Sequence, residues 1–219
     1  MKKLLLFILS IQVISTMARA DTITIFNTGV DNSNALLPEG SVDMHYTVSG
    51  PITGPTYVGI DQNTLPYIHE DGVSRWINPT MHATDDDPAG LYTYVTTFVL
   101  PAGFTNAMLM GQWLSDNEAT MTLNGGTVSM TPNNTSSFQA WTPFTINSGF
   151  MAGLNTLDFA VTNDLVGPSA LRVEFFTASF TPGPAVPDAG SSVTLLCAGL
   201  LALGLFARWS RKTRYLESN

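Results

Sequence analysis

The residues best suited to chemistry in this 219-residue chain are three tryptophans and the carboxylates and amides near them. Trp76, Trp113 and Trp141 each carry a flat ring, and such a ring offers the C–H face of a sugar an apolar platform. Trp113 stands just before Asp116 and Asn117, whose side chains suit sugar hydroxyls, so Trp76, Trp113, Asp116, Asn117 and Trp141 are the candidate ligand contacts. A structural reading competes and carries more weight for Trp113. That residue shares a strand face with Leu109, and Ser115-Asp116-Asn117 reads as a turn whose side chains bond the backbone. Trp76 and Trp141 lie in loop-like surroundings, where exposure is expected.

Asp85-Asp86-Asp87 supplies oxygens of the kind a hard cation takes. An EF-hand register starting at Asp85 fails at Ala89 and Thr96, which leaves a looser loop site set against a solvated acidic loop. His45, His69 and His82 are too scattered for a metal cluster, so no metal and no cofactor is assigned. The chain has no Gly-x-Ser-x-Gly elbow, no His-Glu-x-x-His and no Walker loop. Its sole cysteine, Cys197, lies in an apolar run near the end. The reading is therefore not an enzyme, with no catalytic residue assigned. A glycan-active enzyme using paired carboxylates ranks third.

The elements that must hold these residues read as β throughout. Val42, Met44, Tyr46 and Val48 alternate with Asp43, His45 and Thr47, a period of two. Leu91 to Leu100, rich in Tyr, Thr, Val and Phe with apolar residues on both faces, suits a central strand. Ala107–Trp113 and Glu118–Leu123 follow, and Asn124-Gly125 marks a hairpin turn. Leu157, Phe159 and Val161 alternate with polar partners, and Leu171, Val173 and Phe175 lie opposite Arg172 and Glu174. Strands at this spacing, punctuated by Gly, Pro, Asn and Asp, predict an all-β sandwich of jelly-roll type. Asn27–Leu37 and Pro51–Ala83 are expected to be long loops at its ends.

Both termini carry addresses. Lys2-Lys3, the apolar Leu4–Ile14 and Ala18-Arg19-Ala20 have the layout of a secretory signal peptide, with Ala18 and Ala20 marking the cleavage site. At the other end Val193 to Ala207 carries no charge, and with the small residues back to Ala189 it reaches about the ~20 residues that span a bilayer. Arg208, Arg211, Lys212 and Arg214 beyond it predict a cytoplasmic tail and an N-terminus outside. The expected organisation is a signal peptide at 1–20, a β-sandwich ectodomain at 21–181 and a linker at 182–190. A transmembrane helix at 191–209 and a basic tail at 210–219 complete it.

With Val186-Pro187-Asp188 just ahead of the apolar run, these ends resemble the PEP-CTERM class of bacterial surface proteins, in its Val-Pro-Asp variant. The resemblance implies recognition of Val186, Pro187 and Asp188 by an exosortase, a membrane-embedded cysteine transpeptidase. It also implies a membrane-anchored precursor that reaches the cell surface or extracellular space. Asp188-Ala189 stands where the namesake motif has Glu-Pro. A GPI signal is the competing reading of the small residues Ala189 to Ser192, and the basic tail argues against it.

Composition narrows the partners. From Asp21 to Gly183 there are fifteen acidic residues and two basic ones besides histidine, Arg75 and Arg172. So acidic a domain repels phosphates, and nucleic acid is not an expected partner. The stretches Tyr92–Leu100, Gly111–Asn117, Leu123-Asn-Gly125, Gly149–Asn163 and Ala170–Glu174 look like those of galactose-binding-like carbohydrate modules. The likeness covers roughly Arg75 to Phe180. It implies that fold and, as the alternative to a non-catalytic surface or biofilm-matrix role, binding of extracellular polysaccharide.

Overall fold

A computed structural model of the chain describes residues 19–131 and 137–183, together with 197, 199–201 and 203. Residues up to Gly183 form one compact unit and those from Pro184 onward a second. In the second, Cys197, Gly199, Leu200, Leu201 and Leu203 are helical and exposed. No helix among the described residues is long and apolar enough to cross a membrane. Ala20 is described and exposed, whereas Ala18, Val186, Pro187, Asp188 and most of 191–209 lie outside the described residues.

The first unit is all-β, a sheet-based sandwich. Its strands are β1 (Asp21–Thr22), β2 (Val42–Ser49), β3 (Gly54–Val58), β4 (Ile77–Asn78), β5 (Gly90–Leu100) and β6 (Thr105–Asp116). They continue with β7 (Ala119–Leu123), β8 (Gly126–Met130), β9 (Thr142–Ile146), β10 (Gly153–Asn163) and β11 (Ala170–Thr181). The strands form one continuous path, β8-β7-β10-β5-β2-β3-β4-β11-β6-β9, and β1 pairs with β11. Every pairing is antiparallel.

Period-two patterning fills the space between the two halves of that path. Tyr92, Tyr94, Phe98 and Leu100 of β5, with Leu157, Phe159 and Val161 of β10, meet Leu109 and Trp113 of β6 and Leu171 and Val173 of β11. Trp113 lies 5.6 Å from Phe159, ring to ring. Apolar burial of this kind supplies the main driving force for the fold. Asn124 and Gly125 take φ of 51° and 83° between β7 and β8, the left-handed pair that a two-residue hairpin turn requires. At Gly111 the strands approach closely, and a Cβ there would run into the Glu174 carbonyl oxygen.

Strand β2 departs from its expected phase. Tyr46 and Val48 are buried as the alternation predicts, yet Asp43 is buried and Met44 is 84% exposed. The register between β2 and β3 shifts between Asp43 and Thr47. Such an irregularity reverses which face each side chain takes. Asp43 then turns inward and accepts bonds from the Gly29 and His45 amides, at 2.7 and 2.8 Å.

The stretch 51–83 departs further. It holds β3, β4 and a 3-10 turn at Gln62–Thr64, and its residues 65–76 fold back over the outer face of β6 and β11. There Tyr67, Trp76, Leu114 and Ala170 form a second apolar cluster. Arg172 and Glu174, on the strand face opposite Leu171 and Val173, are buried beneath it rather than solvated. Arg172 Nε donates to Ser74 Oγ at 2.6 Å and Nη1 donates to the His69 carbonyl at 2.9 Å. Its Nη2 reaches Asp71 at 2.9 Å and Glu174 at 3.3 Å.

Removing one partner from a buried, hydrogen-bonded ion pair costs far more than removing an exposed partner. Arg172→Met is expected to lose about 3–5 kcal/mol of stability. Asp71→Asn, at the half-exposed end, is expected to lose under about 1 kcal/mol. Urea unfolding of the two variants measures the difference, and equal losses would contradict the buried network.

Candidate functional site

The tryptophans fall into place first. Trp113 is 0% exposed, and its Nε1 donates to Ser129 Oγ at 3.1 Å. Trp76, expected in a loop and open, is also 0% exposed, with Nε1 donating to the Ile68 carbonyl at 2.9 Å. Neither ring shows a face to solvent, because one fills the sandwich interior and the other is roofed by the folded-back segment. Trp141 is half-buried, and the Arg172 guanidinium sits 4.9 Å from its ring centre. A cation over the ring fixes its orientation and occupies a face that a sugar would use.

Asp116 and Asn117 do line an opening. They border a cleft of about 420 Å³ together with Leu65, Pro66, Tyr67, Phe138 and the loop from Asn163 to Pro168. That volume lies in the range of small-molecule clefts. The walls are mostly apolar, with Leu165 and Val166 exposed at 77% and 66%. Polar groups converge at the base: Tyr67 Oη donates to Asp116 Oδ2, and Asn117 Nδ2 donates to Asp116 Oδ1 at 2.8 Å. Asn117 Oδ1 accepts the Asp164 amide at 3.1 Å, which ties the loop to the end of β6.

Burial pushes the Asp116 carboxyl up to about 6, partly opposed by the Tyr67 hydroxyl and helped by the nearby Asp164 charge. Tyr67 is raised far above the ordinary phenol range by burial and by Asp116, so it remains a hydrogen-bond donor.

The acidic triplet has a different role from the one its sequence offers. Asp87 is buried, accepts the Thr80 hydroxyl at 3.1 Å and the Ser169 amide at 3.3 Å, and is pushed by burial up to about 6. Its carbonyl accepts the Gly167 amide at 3.0 Å and Asn163 Nδ2 at 3.1 Å. Asp87 thus braces the loop that forms one wall of the cleft. Asp86 is exposed and Asp85 half-buried. Among the described residues no group of three His, Cys, Asp or Glu is placed to hold a metal ion. His45 stacks on Phe26, ring centres 3.7 Å apart, away from the cleft.

Sequence reasoning missed Tyr67, Asp164, Leu165 and Val166. The signal was present in the last two, a pair of large aliphatics ahead of Gly167-Pro168 in a turn between two strands. The partnership of Tyr67 with Asp116 spans 49 residues and left no local trace.

Neither a protein-family model nor a curated sequence matches the chain. Solved structures similar to it include two at 16% identity each. One is the crystal structure of Streptomyces avermitilis alpha-L-rhamnosidase complexed with L-rhamnose, at TM-score 0.36 over 79% of this chain. The match spans 15% of that enzyme's chain. The other is a family 35 carbohydrate binding module from an environmental isolate, at TM-score 0.32, covering 66% of this chain and 97% of the module. At such overlap the likeness assigns no function.

Carboxyls raised in the folded state make stability depend on pH in a definite direction. For Asp87 and Asp116 the folded chain holds its protons more tightly than the unfolded one. The stabilisation is complete below the unfolded value of 3.8 and is lost as pH rises through about 6. The melting temperature should therefore fall between about pH 4.5 and 7, and Asp116→Asn should flatten part of that slope. A slope unchanged in Asp116→Asn would show that Asp116 ionises normally.

Proposed function

We propose that the β-sandwich is a non-catalytic carbohydrate-binding module, carried by an exported protein and directed at extracellular polysaccharide. The observation that carries this reading is the cleft beside Asp116. Its apolar walls suit the C–H faces of a sugar, and its few fixed polar groups suit hydroxyls. The loops around it are braced from inside by Asp87 and Asn163, so the walls are set before a ligand arrives. The galactose-binding-like resemblance of Tyr92–Leu100 and Gly149–Asn163 points the same way. Trp113 and Trp76 act as packing residues, and ligand contacts fall to Asn117 and the 163–168 loop.

The test is retention of the full chain, held in detergent, on immobilised polysaccharides. Saturable binding to at least one is expected. It should weaken about tenfold when Leu165 and Val166 are both changed to serine, with the near-ultraviolet circular dichroism unchanged. Absence of retention on every polysaccharide would leave a plain matrix role as the better reading.

Delivery is the second part of the proposal. The leader at 1–20 exports the chain, the 191–209 segment holds a precursor in the membrane, and an exosortase-type transpeptidase acts at Val186-Pro187-Asp188. Support comes from the residue types and their order at the two termini. In the native host, the chain should appear as a membrane-held precursor and a shorter surface form. Changing Pro187 and Asp188 to alanine should leave the precursor alone, and unaltered processing would end the sorting reading.

A further inference from the structure

The cleft has an unusual charge balance. Among the described residues its ionisable groups besides Tyr67 are Asp116 and Asp164, with no basic side chain in the lining. Asp164 is exposed at the mouth, while Asp116 is 6% exposed at the base. An arginine or lysine is one way to offset a buried carboxylate, as Arg172 does for Glu174. Here the two arginines between Asp21 and Gly183 are both committed away from it. Arg172 is fully buried with Ser74, His69, Asp71 and Glu174, and Arg75 pairs with Glu70 at 3.2 Å and Glu39 at 3.8 Å. The described residues therefore supply no cation to this pair, and a ligand could bring one.

Resting on the carbohydrate reading above, we propose that the cleft selects glycans bearing free amino groups, such as deacetylated hexosamine units, over neutral and uronic-acid chains. An ammonium group beside Asp164 and above Asp116 gains charge-assisted hydrogen bonds in a partly desolvated place. Tyr67 and Phe138, with ring centres 4.7 Å apart, add an aromatic wall that favours a cation as well as a sugar ring. A uronic acid would bring a third carboxylate into the same space and is repelled. The domain as a whole acts in the same sense, since its excess of acidic over basic residues draws polycations in and holds polyanions off.

The experiment compares chitosan oligomers with their fully N-acetylated counterparts, alginate oligomers and poly-lysine of matched charge. Each is titrated against the full chain in detergent. Chitosan oligomers should bind saturably and more tightly than the acetylated ones, and added salt should weaken the binding. Asp164→Asn, a change at an exposed side chain, should lower the ratio of amino-form to acetylated-form affinity about tenfold. Asp116→Asn should move the same ratio.

Equal affinity for acetylated and free-amine oligomers would overturn the charge selection while leaving a carbohydrate site in place. Binding of none of the glycans would overturn both. Poly-lysine binding as tightly as chitosan, or chitosan binding that Asp164→Asn leaves unchanged, would reduce the effect to attraction by the acidic surface and overturn the cleft as its source.

Discussion

Arg172 is the side chain on which the folded-back segment depends. It stands on the face of β11 that an alternating strand would give to water, and it is fully buried there. A guanidinium taken out of water must find partners for its charge and its five donors. The chain provides them from residues about 100 positions away: Ser74, the His69 carbonyl and Asp71, with Glu174 alongside. Glu174 is held in turn by Ser74 and Gln112, both at 2.8 Å. The loop from Leu65 to Trp76 is fixed on the sheet by this requirement as much as by apolar contact. A buried ion pair of this kind adds little net stability over a hydrophobic substitute, yet it admits few alternative arrangements. It specifies where the loop lies.

The cleft follows from that placement. Tyr67 belongs to the same segment, touches Trp76 at a ring distance of 4.8 Å and reaches Asp116 with its hydroxyl. Leu65 and Pro66 then form one wall. The opposite wall is held by a separate group of contacts, Asp87 and Asn163 on Gly167 and Ser169. Two segments distant in sequence thus meet at the end of β6, each tied by buried polar groups. Those groups satisfy the backbone of irregular chain that no strand pairs.

How far this was legible follows from which contacts are local. The alternation in β10, the interior place of β5 in the sheet and the Asn124-Gly125 turn are properties of short stretches, and they appear in the structure as the sequence implies, although Leu91 and Val99 of β5 face solvent. The phase of β2 was not legible, because the irregularity between Asp43 and Thr47 depends on the partner strand. Trp76 was misjudged for a related reason. Its neighbours along the chain are polar and loop-like, while its burial comes from Tyr67, Leu114 and Ala170. Arg172 and Glu174 looked like solvent-facing positions, since a period of two says which residues share a face and not what covers it. Asp116 was picked out for the wrong neighbour: its partner is Tyr67, not Trp113.

The carboxylates make the same point about function. An acidic composition read whole speaks of solubility and of what the domain repels. The structure divides the acids into kinds. Asp43 and Asp87 are turned inward and hold backbone amides, Glu70 and Glu174 hold the two arginines, and Asp86 is left to water. Asp116 belongs to neither the braces nor the solvated set, and the exposed Asp164 lies beside it. They share an apolar cleft, and the Asp164 charge adds to the burial that makes Asp116 harder to ionise. Two like charges so placed raise the energy of the empty site relative to one holding a cation. The selectivity of such a cleft therefore comes from what the protein withholds, a positive side chain, as much as from the groups it presents.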